Sequence, residues 1–262
     1  MVSRKRFAAI AVLLVVVFAL TACAPVTLDL NRLSDKDVKR AQDLLVKLAP
    51  LIKERQDRGN ISTLTFDELY APLDAQDRAF LEAFKKLNAR ELNVRIPFRG
   101  IATGKEELVV IKGQMVKVQG EAKELPPQFL PPDVFNAYTA MMAQMRKDLG
   151  RRLYVESGYR SSAYQLYLLV FYLSNHAYSL RETVKFVALP GYSEHGSPAH
   201  QALDFINENG INGEDNPKEF EDLPENAWLL KNAARFGFVL SYPKNSRDGI
   251  TYEPWHWRFD RK

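Results

Sequence analysis

Apolar positions change their spacing along this chain, and each change marks a different kind of structure. Phe7 to Leu20 is an unbroken apolar run behind Arg4, Lys5 and Arg6. Between Asn31 and Arg58, Leu33, Val38, Ala41, Leu44, Leu45 and Leu48 recur at helical spacing, which predicts an amphipathic helix. Phe66 to Tyr70 and Asp74 to Leu87 predict two more, with Asp74 as an N-cap. Leu108 to Ile111 and Met115 to Val118 then predict two short strands about the Lys112-Gly113 turn. Pro126-Pro127 and Pro131-Pro132 mark the passage into a second region.

From Asp133 onward helices and strands alternate without a repeating unit. Val134 to Leu149 predicts a helix and Leu153 to Ser157 a strand. Ser161 to Asn175 predicts a helix that is apolar nearly all round, through Leu166, Leu168, Leu169, Val170, Phe171 and Leu173, and so one buried on most sides. Ala202 to Ile206 predicts a strand, Glu225 to Arg235 a helix, Phe238 to Tyr242 a strand and Trp255 to Phe259 a last strand. The expected class is α+β.

The first segment changes how the charge is read. A basic start, a short apolar core and small residues before Cys23 describe a secretory signal peptide over residues 1–22. The apolar run is shorter than the roughly 20 residues that span a bilayer. Leu20-Thr21-Ala22-Cys23 resembles a bacterial lipobox, with Cys23, the single cysteine, as the lipidated residue. The leader carries three positive charges and no acid, so removing it takes the formal net charge from +4 to +1. No basic footprint for nucleic acid remains. The expected location is the bacterial envelope, anchored to a membrane by lipid.

Candidate chemistry sits late in the chain. Three of the four histidines fall in Ser193-Glu194-His195-Gly196-Ser197-Pro198-Ala199-His200 and in Glu253-Pro254-Trp255-His256-Trp257-Arg258. With Asp204, these segments hold the inventory of a catalytic zinc site: imidazole and carboxylate ligands, an open position and a nearby base. Strand alternation puts His256 and Arg258 on one face and Trp255, Trp257 and Phe259 on the other. Asp204 shares a face with Ala202 and Ile206, opposite Leu203 and Phe205. Glu253 would point away from His256 on a straight strand, so a bend at Pro254 is needed to bring it to the site.

These motifs, with Ser157-Gly158-Tyr159-Arg160-Ser161-Ser162 and Gln165 before them, resemble the zinc D-Ala-D-Ala carboxypeptidases of the VanY type over about residues 133–260. The resemblance implies a small central antiparallel sheet flanked by helices, as in lysostaphin-type peptidases and hedgehog domains. With the leader and the proline pairs, the chain is expected to divide into the leader (1–22), a mainly helical region with a short hairpin and a Pro-rich link (23–130), and a zinc carboxypeptidase domain (131–262). The resemblance implies Zn²⁺ held by His195, Asp204 and His256, Glu253 as general base, and substrate contacts from Arg160, Ser193 and Gln165. His195 to Asp204 is two positions longer than the family's usual spacing, and His200 stands where a glycine would. His200 is therefore a second candidate for the first ligand, or a donor orienting a ligand. The implied substrate is a peptidoglycan stem peptide, cut as a D,D-carboxypeptidase. An L,D-carboxypeptidase on tetrapeptides, a peptidoglycan endopeptidase and a non-catalytic wall-binding lipoprotein are the alternatives.

Overall fold

A four-stranded antiparallel sheet in the order β5-β6-β8-β7 carries the site, in a computed structural model that describes residues 26–214, 217–244 and 252–260. Its strands are β5 (Leu153–Ser157), β6 (Ala202–Asn207), β7 (Phe238–Leu240) and β8 (His256–Phe259). Leu153, Val155, Leu203, Phe205, Phe238 and Trp257 point from one face into a core shared with α4 (Pro132–Leu149) and α8 (Pro224–Asn232). That leaves the alternate positions, Asp204 and His256 among them, on the other face. The fold is α+β with helices flanking a small antiparallel sheet, as expected. The leader and Cys23 lie outside the described residues. No helix among those described is long and apolar enough to cross a membrane.

The N-terminal helices are α1 (Asp35–Asp57), α2 (Phe66–Tyr70) and α3 (Ala75–Lys85). Each has a side-chain cap that satisfies N–H groups lacking an intrahelical partner. Ser34 caps α1, Thr65 closes a capping box with Glu68 on α2, and Asp74 caps α3 as predicted. Their apolar stripes converge on α5 (Ser162–Phe171). Leu44, Leu48, Ile52, Leu69, Phe80, Leu81 and Phe84 share a core with Leu166, Leu169 and Val170. The all-round apolarity of α5 follows: its outer sides are covered by residues far upstream. The predicted helix from Ser161 to Asn175 is α-helical only to Phe171 and continues as a 3-10 turn to His176, whose ring stacks on Phe186 at 4.7 Å.

One expectation is corrected. The segments either side of Gly113 do not pair with each other. β1 (Val109–Ile111) pairs with β4 (Gln128–Leu130), and β2 (Met115–Val118) forms the hairpin with β3 (Glu121–Glu124) through Gln119-Gly120. The reason is long-range. Gln114 turns inward, donating to and accepting from the Val155 backbone at 2.8 and 2.9 Å, which separates β1 from β2. The β2–β3 hairpin then lies against Ile206 through Val116 and Leu125. At the other end the predicted strand from Trp255 starts one residue late, at His256, because Trp255 belongs to a turn.

Candidate metal centre

Sheet register brings two of the implied ligands together directly. Asp204 on β6 is the cross-strand partner of His256 on β8, and opposed residues on one face have adjoining side chains. His256 Nδ1 lies 2.8 Å from Asp204 Oδ1. On its other side Asp204 is opposed by Ser157, past a register shift in β5 between Val155 and Ser157. An extra residue of this kind bends a strand and re-aims the side chains beyond it. The bent end leads straight into Gly158 and Arg160.

His195 arrives from a short turn, Glu194–Gly196, whose cap is Ser193. Its Nε2 is 3.0 Å from Asp204 Oδ2, and the His195 and His256 rings meet edge to face at 5.0 Å. Ligand atoms of His195, Asp204 and His256 all lie within 4.8 Å of one another. His200 goes elsewhere: its Nδ1 contacts Asp260 at 2.9 Å, and it joins no ligand. The two-residue extension between His195 and Asp204 is thus fastened to the chain end by His200 and leaves His195 in the cluster.

Both imidazoles are held from behind by an acceptor. His195 Nδ1 donates to the Gly158 carbonyl at 2.9 Å, and a carbonyl can only accept. His256 Nε2 donates to Glu194 Oε2 at 3.1 Å. Each ring turns its other nitrogen toward Asp204. His195 is left with Nε2 to offer a lone pair to a metal. His256 faces a carboxylate on both sides, so a cation at its Nδ1 would displace a proton. Burial holds the His195 imidazole below its ordinary value, against the pull of Asp204. Burial would lower His256 too, but the surrounding carboxylates of Asp204, Glu194 and Glu253 raise it to about 10. Burial alone would raise Asp204, yet the two imidazoles hold its carboxyl well below the usual range.

Glu253 reaches the site through the bend its sequence required. His256 N donates to Glu253 O at 3.2 Å, closing a turn with Pro254 at its second position, where a fixed φ is favourable. Glu253 Oε2 then sits 3.8 Å from His256 Nδ1. Burial, reinforced by Asp204 and Glu194, raises its pKa to about 7 even though His256 pulls it down.

Arg160 is held flat beside this cluster. Its Nη1 donates to Gln165 Oε1 and its Nη2 to Ser157 Oγ, both at 3.1 Å, while its backbone N–H donates to His195 O at 3.0 Å. Gln165 is buried on α5 and anchored by donating to Ala188 O at 2.7 Å. Ser193 accepts the His195 N–H at 3.3 Å. Tyr159 and Tyr192 pack into the N-terminal region: Tyr159 hydrogen-bonds Glu106 and Gly104 N–H, and Tyr192 meets Phe98 at 5.5 Å. Sequence reasoning gave Glu194 no part, although it stands inside the motif. Only its 2% exposure and its partners from distant segments reveal it.

Gly158 carries a testable consequence. A Cβ there would lie 2.6 Å from the Phe129 carbonyl, which also accepts the Tyr159 N–H at 2.7 Å. Gly158→Ala must therefore displace β4 or the carbonyl that orients His195. The expected loss is about 1–3 kcal/mol, the usual range for overpacking, read as a lower urea midpoint with unchanged slope.

With this geometry in view, kinship can be assigned. Residues 128–262 match the VanY profile, described as D-alanyl-D-alanine carboxypeptidase, and the chain belongs to that family. It is 31% identical over 140 residues to the putative carboxypeptidase YodJ of Bacillus subtilis (strain 168), covering 52% of this chain and 48% of that one. It is 40% identical over 75 residues to a D-alanyl-D-alanine carboxypeptidase of Enterococcus faecium, covering 28% and 22%. The chain thus spans about half the length of the first relative and less of the second. Among solved structures, the LdcB LD-carboxypeptidase superposes with a TM-score of 0.47 at 25% identity, over 63% of this chain and 74% of that one.

Proposed function

We propose that this chain is a zinc-dependent carboxypeptidase that removes the last D-alanine from peptidoglycan stem peptides ending in D-Ala-D-Ala, held at a membrane of the bacterial envelope through lipidated Cys23. The observation that carries the reading is the meeting of His195, Asp204 and His256, with a nitrogen of each ring facing Asp204 and the other held from behind. Two imidazoles and one carboxylate make a donor set that suits catalytic zinc and leaves a coordination position open. Zinc, when bound, would supply a Lewis acid that activates water and stabilises the charge developing on the scissile carbonyl.

The remaining work falls to this chain's own groups. Glu253 takes the water proton on Oε2 and delivers it to the departing amine. Burial and neighbouring acids lift its pKa above the ordinary carboxylate value, toward the range in which one group can both take and return a proton. Arg160 receives the substrate's terminal carboxylate, for which a planar guanidinium has the matching fork. Ser157 and Gln165 each occupy one N–H and fix the plane, leaving Nε and one N–H on each terminal nitrogen for the ligand. In this reading Gln165 serves the substrate by aiming Arg160, and Ser193 contributes through the turn that presents His195.

The test is mass spectrometry of pentapeptide and tetrapeptide stems incubated with the purified mature chain, with zinc and with chelator. The expected result is loss of one alanine from the pentapeptide, abolished by chelator and restored by zinc. Loss only from the tetrapeptide would replace the D,D reading by an L,D one. Zinc-loaded protein that releases alanine from neither would sink the carboxypeptidase reading.

A further inference from the structure

Nothing in the proposed reaction uses Glu194, yet it is buried against three cationic groups. Its Oε2 accepts from His256 Nε2 at 3.1 Å, and its Oε1 accepts from Arg99 Nη2 at 2.7 Å. Arg258 Nη1 stands further off, at 3.6 Å. Arg99 lies in the stretch between α3 and β1, outside the residues that match the family. A cation from the N-terminal region is therefore planted behind His256.

That stretch is fastened along its length. Arg99 N donates to Gly191 O at 2.7 Å, and three residues on Ala102 exchanges bonds with Ser162, accepting from its backbone N at 2.8 Å and donating to its Oγ at 3.0 Å. Gly191 has φ +85°, and a Cβ there would meet Phe98 Cε2 at 2.4 Å, so the loop before His195 is shaped to receive this strap. Arg99 is in place because its neighbours on both sides are.

We infer that Arg99 is a positioning residue for the metal centre: it holds the Glu194 carboxylate in the orientation that takes the His256 Nε2–H, so that His256 presents Nδ1 to zinc. The inference rests on the zinc reading above. A buried carboxylate stripped of its best cation turns toward whatever donor remains. Here the alternatives are the Ser241 hydroxyl and, at 3.6 Å, Arg258 on the same strand as His256. Turning that way loosens the bond that holds the His256 ring in place. Partners of this kind behind metal-binding histidines typically change metal affinity by about 10–100-fold.

The experiment measures zinc affinity by competition with a chromophoric chelator, the visible spectrum of the cobalt-substituted protein, and the melting midpoint without metal. Two neutral replacements, Arg99→Gln and Arg99→Met, are made so that either folded variant decides, with Arg99→Lys alongside. The expected result is zinc binding about tenfold weaker in the neutral variants, partly recovered by lysine, with a shifted cobalt spectrum. In a Glu194→Gln background, Arg99→Gln should weaken zinc no further, because the two act as one unit. Unchanged zinc affinity in a folded neutral variant, or an equal loss in the Glu194→Gln background, would overturn the inference. A lower melting midpoint with intact zinc affinity would reduce Arg99 to a structural role and overturn it too. Wild-type protein that takes up no zinc would instead strike the metal reading on which this one stands, so the two failures are told apart.

Discussion

Glu253→Gln is expected to lower turnover by roughly 10²–10⁴-fold, the usual contribution of a positioned acid–base group, while leaving zinc bound. The two halves have separate physical grounds. Glutamine cannot accept the water proton, so the chemical step fails. The grouped ligand atoms belong to His195, Asp204 and His256, and Glu253 stands 3.8 Å from His256 Nδ1, so the metal is expected to stay. A base works deprotonated, so activity should fall as pH drops through the pKa of Glu253. Burial and neighbouring acids raise that value to about 7, and a dication among the ligands pulls it lower, so the acid limb belongs below 7. Measuring kcat and zinc content together checks the assignment. Loss of zinc in the variant would make Glu253 a ligand, and undiminished kcat would remove it from the chemistry.

Much of this site was readable from residue order alone, for a reason that also marks where reading stops. Features set by neighbours in the chain were legible: the Asp74 cap, the alternating faces of β6 and β8, and the bend at Pro254 that returns Glu253 to His256. Features set by a distant partner were not. Spacing left both His195 and His200 open, because what separates them is a distant partner: His200 contacts Asp260, while His195 lies with Asp204 and His256. The glycine at 113 suggested a hairpin, but Gln114 is committed to the Val155 backbone and the strands on either side find other partners. Glu194 resembled any polar residue in a loop, since the guanidinium that defines it comes from Arg99.

Removing the residues before 128 is expected to prevent the family-matched segment from folding as a soluble monomer. α5 belongs to that segment, yet its Leu166, Leu169 and Val170 are buried in a core largely supplied by α1, α2 and α3. Exposing a buried Leu or Val side chain costs about 1.5–3 kcal/mol. Several together match the whole stability of an ordinary domain, about 5–15 kcal/mol. The cut would also uncover a continuous apolar face of the kind that drives association. Expressed side by side, 24–262 should melt cooperatively, while 128–262 should be insoluble or bind a hydrophobic dye without a thermal transition. A monomeric 128–262 with a sharp melt would show that the N-terminal helices decorate the domain and do not complete it. The comparison also bears on Arg99, which the shorter fragment lacks.

The turn from Glu253 to His256 has a mechanical consequence. Glu253 and His256 are joined by one backbone hydrogen bond within four consecutive residues, so their backbones shift together. Repacking the Trp257 side of β8 would tilt both together against Asp204 and His195, which are hinged on other elements. The separation of proton acceptor from its adjacent imidazole is thereby insulated from drift in the core, whereas the width of the cage across the sheet is not. Among changes remote from the site, those that slide β8 along β6 therefore alter how tightly a cation is gripped before they alter where the proton goes.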